Sequence, residues 1–163
     1  MRRFVLVLVM IPFVGAASSA QQLAPQAKSG QAMGMKYESL QWQSIIPELG
    51  NDSPQISILR VDPQSHATQL LIRVPKAIHV PMHWHSANET HTVIRGNWTF
   101  EHEGNREALG PGGFNYIPAK MHHQAWATND ALVFITVDSG WDVNWVNGPP
   151  TKADLGKTPD IRK

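Results

Sequence analysis

The chain has 163 residues, no Cys, 14 Lys+Arg against 13 Asp+Glu, and 42% hydrophobic residues. That length and composition suit one compact domain, and the near-neutral balance excludes nucleic-acid binding driven by a large positive field. The missing Cys excludes disulfides, cysteine nucleophiles, thiolate metal sites and a lipidated Cys.

Residues 1–20 read as a secretory signal peptide. Arg2 and Arg3 form a basic start, Phe4 to Val14 an apolar run, and Ser18-Ser19-Ala20 a small-residue cleavage site. The apolar run is too short to span a bilayer, and Pro12 and Gly15 interrupt it, so no stable membrane anchor is expected after cleavage. The mature chain is expected to begin near Gln21 and to be secreted or periplasmic. Cleavage removes two positive charges and no acid, which turns the net charge of +1 into −1.

Residues 21–35 (QQLAPQAKSGQAMGM) read as a flexible lead-in, residues 36–146 as a single domain, and residues 147–163 as a loose or strapped tail. Near Gln41–Leu49 one short turn of helix is expected, limited by Pro47. From there apolar residues come in short runs: QISILRV, ATQLLIRV, ETHTVI, NWTFEHE, FNYI, HQAWA and ALVFITVD. Turn formers separate them, among them Asp62-Pro63, Arg95-Gly96-Asn97, Glu103-Gly104-Asn105 and Gly110-Pro111-Gly112-Gly113. No long window keeps a helical period, so the pattern predicts an all-β antiparallel sandwich or barrel. Trp42, Trp98, Trp126, Trp141 and Trp145 read as core and rim residues.

Seven of the eight His residues lie between positions 79 and 123. Within the run His83-Trp84-His85-Ser86-Ala87-Asn88-Glu89, the i, i+2 spacing on a strand puts His83 and His85 on one face. After a short turn, Glu89 can bring a carboxylate back to that face. Two imidazoles and a carboxylate make the mixed N/O ligand set that suits Fe, Mn, Ni or Zn as divalent ions. A further imidazole from His122-His123 would complete four ligands; adjacent strand residues face opposite ways, so only one of that pair can serve.

The run His83-x-His85-x3-Glu89-x6-Gly96 resembles the first motif of the cupin superfamily, G(x)5HxH(x)3,4E(x)6G, with Lys76 or Ala77 where the leading Gly is usual. Gly112-x5-Pro118-x-Lys120-x2-His123 resembles the second, G(x)5PxG(x)2H(x)3N, with Lys120 in place of the motif Gly and Ala127 in place of its Asn. Together with Ile58 to Pro63, Leu70 to Pro75 and Val137 to Asp142, the chain is similar over about residues 45–143 to single-domain cupins, a shape shared by the metal-binding half of ChrR-type anti-sigma factors.

That resemblance implies a cupin jelly-roll barrel with one divalent metal ion held by His83, His85, Glu89 and His123, His122 pointing away. Gly96 and Gly112 are expected at turns that need positive φ or close backbone approach, and Lys120 puts its own turn in question. Strand alternation extends the expected pocket from Glu89 to His91 and Val93, and along the second motif to Phe114, Tyr116 and Ala125. His91 is the candidate for catalysis, as a substrate contact, a general base or a partner of a metal ligand. His66, His79 and His102 fall in or beside predicted turns and read as solvated. The glycosylation-like patterns at Asn88 and Asn97 are discounted.

The expected partner is a small-molecule substrate or ligand, neutral or mildly polar, because Arg73, Arg95 and Arg106 fall at strand ends or turns and form no clamp for acidic groups. A metal-dependent enzyme, dioxygenase-like or isomerase-like, is one functional expectation. The other is a non-catalytic metal- or ligand-binding sensor. A homodimer is a candidate assembly because the edges of a β-sandwich need covering.

Overall fold

The computed structural model describes residues 32–159. The signal-peptide reading, its cleavage point and the lead-in up to residue 31 lie outside these residues. The described strands are, in chain order, β1 (Gln43–Ser44), β2 (Gln55–Val61), β3 (Thr68–Val74), β4 (Ile78–Trp84), β5 (Glu89–Arg95), β6 (Trp98–His102), β7 (Asn105–Leu109), β8 (Phe114–Ile117), β9 (His123–Ala127), β10 (Ala131–Val137) and β11 (Asn144–Trp145). The helical turns among the described residues are short 3-10 segments.

Two antiparallel sheets form, one ordered β1-β2-β3-β10-β5-β8 and the other β11-β4-β9-β6-β7. From β3 onward, apart from the β6–β7 hairpin, successive strands cross between the sheets, so β10 lies between β3 and β5, and β9 between β4 and β6. This interleaving is a jelly roll, the all-β architecture expected from the short alternating runs. Ile72, Val133 and Val93 stand abreast on neighbouring strands, as do Leu70, Ile135 and His91. Directly opposed residues share a face, so these rows line the interior of the six-stranded sheet. Ile78, Trp98, Ala125 and Ala127 close the core from the five-stranded sheet.

The turn expected near Gln41–Leu49 forms later in the chain, at Pro47–Asp52 after the β1 pair. Pro47 opens this turn instead of limiting it, because the first helical position has no use for its missing N–H. At the other end, Leu155 bridges Ile78, and the Gly156 N–H donates to the Ala77 carbonyl at 2.7 Å. The segment from Pro150 to Gly156 thus straps the start of β4, with Pro150 bordering the interior cavity.

Candidate metal centre

β4 and β9 pair with a register shift between Val80 and His83. Pro81 sits in that irregularity, where its lack of an N–H breaks no ladder bond. His83 then stands directly opposite His123 on β9, and His85 follows just beyond the end of β4. The three rings are buried, and their donor atoms lie within 4.8 Å of one another.

Each ring is oriented through its other nitrogen. His83 Nδ1 donates to the Pro81 carbonyl at 2.7 Å, His123 Nδ1 to the Met121 carbonyl at 3.0 Å, and His85 Nδ1 to the Asp142 carbonyl. A carbonyl only accepts, so each Nδ1 carries the proton and each Nε2 keeps its lone pair for a ligand bond. Asp142 is itself held by Ser86, whose backbone N–H and hydroxyl donate to its carboxylate. Burial, with His85 adding repulsion, pulls the His83 pKa down to about 4. Burial and neighbouring His83 take His123 to about 3. Both therefore stay neutral, the form that binds metal.

Glu89 opens β5 and is 1% exposed. Its Oε1 accepts the Trp141 indole N–H at 3.0 Å. Its Oε2 lies 3.0 Å from His85 Nε2 and 3.1 Å from His91 Nε2, yet outside hydrogen-bond geometry with either. Two donors each about 2.1 Å from one ion at right angles sit about 3.0 Å apart, so the His85–Glu89 spacing fits shared coordination. Burial works against the Glu89 carboxylate charge, but His91 and His85 outweigh it and hold its pKa well below the ordinary range. Burial likewise opposes protonation of His85, and contact with Glu89 reverses the balance and raises its pKa. The clustered donors are thus three imidazole nitrogens, which could hold a metal ion, with the Glu89 carboxylate oxygen set against one of them, His85.

The structure brings together His83, His85 and His123, sets Glu89 against His85 with His91 on the same carboxylate oxygen, and leaves His122 exposed, its ring facing Trp84 at 6.5 Å. It does not bring Phe114 and Tyr116 to this site. They are 59% and 54% exposed, while Asn115 and Ile117 point inward. The reason is register: Ile117 pairs with Glu89 and Asn115 with His91, which fixes the phase of β8 opposite to the expected one. His79 also departs from its expected place. It lies in β4, half-buried, stacked on Trp126 at 4.8 Å and bonded to Gln124 at 2.9 Å. Lys120 adopts φ of 65°, the left-handed turn for which the motif Gly is suited. Gly96 and Gly112 have φ of 76° and 83°.

Sequence reasoning placed Trp141 among core and rim residues and left Asn115 unmentioned. The only sequence signal for Trp141 is its place in the run Val137 to Asp142.

Around the donors lies a cavity of about 60 Å³. Ile72, Val74, Ala125, Ile135, Trp98 and Trp145 form much of its wall, so outside the ligand cluster it is mostly apolar. Its remaining polar groups include His91 and the Trp98 indole N–H.

A family model described as "Cupin domain" matches residues 70–138. The fold is a cupin jelly roll. Solved structures similar to this chain include KdgF from Halomonas sp., at 21% identity, covering 66% of this chain and 94% of that one with a TM-score of 0.55. The polyketide cyclase RemF from Streptomyces resistomycificus is 18% identical, covers 71% and 86%, and has a TM-score of 0.57. An RmlC-like cupin protein from Ralstonia eutropha is 16% identical, covers 74% and 77%, and also scores 0.57. Identities in this range speak for the fold alone. No curated protein matches the sequence.

Proposed function

We propose that this cupin is a secreted or periplasmic metal-dependent enzyme acting on a small, neutral or mildly polar molecule, with His83, His85, Glu89 and His123 holding one divalent ion. One observation carries the reading: three backbone carbonyls fix the tautomers of three buried imidazoles so that their free nitrogens gather within 4.8 Å of one another, one of them 3.0 Å from a carboxylate oxygen. An ion bound there supplies Lewis-acid polarisation of a substrate oxygen or, as Fe(II), a site for O2.

The chain's own residues set what can enter. Ile72, Val74, Ala125 and Ile135 exclude bulk water and hold an apolar body. No Arg or Lys lines the cavity. Arg73 is engaged by Gln55 and stacked over Trp42, and Arg95 donates to the Asp130 carbonyl. An anionic substrate would therefore lose its hydration without a counter-charge, which disfavours it strongly. His91 stands 3.1 Å from the Glu89 carboxylate, placed to steady that ligand and to meet a polar group of the substrate. RemF, a polyketide cyclase, is an enzyme of this fold, which supports catalysis as a use of such a barrel.

The test is metal analysis of protein purified anaerobically, followed by O2 uptake with flavonols, catechols and thiols and by an isomer-exchange assay with small hydroxy-carbonyl compounds. Iron or manganese with substrate-dependent O2 uptake supports the dioxygenase form, and isomer exchange without uptake supports the isomerase form. Zinc alone with neither activity would contradict the enzyme reading and favour the non-catalytic sensor.

A further inference from the structure

Among the described residues, the buried side-chain atoms with no hydrogen-bond partner in the protein are Glu89 Oε2, His91 Nδ1, Trp98 Nε1 and both amide atoms of Asn115. The metal centre accounts for Glu89. The other four belong to three residues linked through His91. His91 and Asn115 are direct cross-strand partners on β5 and β8, so their side chains leave the sheet on the same face, about 5 Å apart at Cβ. Trp98 comes from the opposite sheet and meets His91 edge-on, with 5.5 Å between ring centroids. His91 and Trp98 both line the central cavity. Asn115 is 9% exposed and borders not that cavity but a neighbouring open cleft, which Phe100, His102, Glu107 and Met121 also line.

An inward position on a buried strand favours an apolar side chain, and a partnerless amide there lowers stability. Asn115 carries both a donor and an acceptor, Trp98 Nε1 is a donor only, and His91 Nδ1 is either, depending on its tautomer. No Lys, Arg, Asp or second Glu joins His91 and Trp98 in the central cavity. We propose that Asn115, Trp98 Nε1 and His91 Nδ1 form a polar subsite beside the metal centre that recognises a neutral group with an oxygen acceptor and an adjacent donor, as in a carboxamide or a hydroxy-ketone. The inference rests on the reading of the barrel as a small-molecule metal site, and it names the substrate class of that site.

Acetamide is the probe. Zinc-loaded, nitrogen-15-labelled protein is titrated with it through the millimolar range, and the Trp98 indole and Asn115 side-chain amide resonances are followed. Both should move saturably. In Asn115→Leu the Trp98 response should weaken at least about fivefold, the loss of one neutral hydrogen bond, while the melting temperature of the acetamide-free protein stays level or rises. Trp98→Phe, which keeps the ring and removes the N–H, should weaken the Asn115 response similarly and serves if the Leu variant does not fold.

No saturable shift in the wild type, an undiminished Trp98 response in Asn115→Leu, or a melting temperature lowered by several degrees in that variant would overturn the subsite, the last by showing the amide to be structural. Zinc content of the same samples tests the metal reading separately. Zinc missing from wild type and variants alike would count against that reading, whereas the acetamide response decides the subsite.

Discussion

A histidine that gives its Nδ1 proton to a backbone carbonyl has one nitrogen left, and here three such nitrogens point into one cavity. This arrangement dictates a pH response of the metal-free protein. An unfolded His titrates near 6.5, while His83 and His123 in the fold titrate at about 4 and about 3. Between those values the unfolded chain binds more protons, so stability rises with pH across that window and is lost as pH falls through it. Glu89, held below its ordinary range, acts in the same direction at lower pH, and His85, raised, opposes as one group against them. The melting temperature of metal-free protein should therefore drop between pH 6.5 and pH 4, and metal-loaded protein should resist until protons displace the ion. Equal, flat profiles for both forms would contradict this. Trp141→Phe removes the donor to Glu89 Oε1, and metal affinity measured by competitive chelation should fall about 10- to 100-fold with the metal-free melting temperature little changed. The clustered His83, His85 and His123 were legible because HxH and the later His carry the chemistry in their own side chains. Trp141 was not legible as a partner of Glu89: it is 52 residues away in the chain, and only the folded loop brings the two together.

At the scale of strands and turns, alternation announced the type of the elements and seven of the eleven described strands, missing β4 among others, and register decided what they present. Strand β8 shows the difference. FNYI alternates well whichever face is inward, and aromatic residues are as acceptable in a pocket as on a surface. Only its pairing with β5 turns Asn115 inward and leaves Phe114 and Tyr116 outside. Two turns lend themselves to measurement. A Cβ on Gly96 would meet the Ala131 Cα at 2.8 Å in a backbone with φ of 76°. Gly96→Ala should therefore destabilise the domain by about 2–4 kcal/mol in urea unfolding, combining left-handed strain with overpacking. Lys120 holds the same kind of backbone, and Lys120→Gly should relieve its strain, leaving stability unchanged or raising it by up to about 1 kcal/mol. A clear loss for Lys120→Gly would mean that the Lys side chain contributes more than the turn demands.

At the scale of the whole molecule, the two sheets of the jelly roll gather one His on β4, one just past its end and one on β9, and set a carboxylate on β5 against the second of them. The cost of burying these polar groups is offset when an ion joins them, so metal binding and folding are linked. Ligand that binds only the folded state adds about 4 kcal/mol at a thousandfold excess over Kd. Chelation should accordingly lower the melting temperature by on the order of 10 °C, and restoring zinc or iron should recover it. The jelly roll was legible from the spacing of runs and turns and from the two motifs. The cavity's contents were not, because each wall residue comes from a different strand. The most direct measurement is metal per chain in wild type and His123→Ala, both purified anaerobically and checked for native β-sheet circular dichroism. The account predicts about one divalent ion per wild-type chain and loss of most of it from the folded variant. A wild type without metal, or a variant that keeps its full complement, would contradict it.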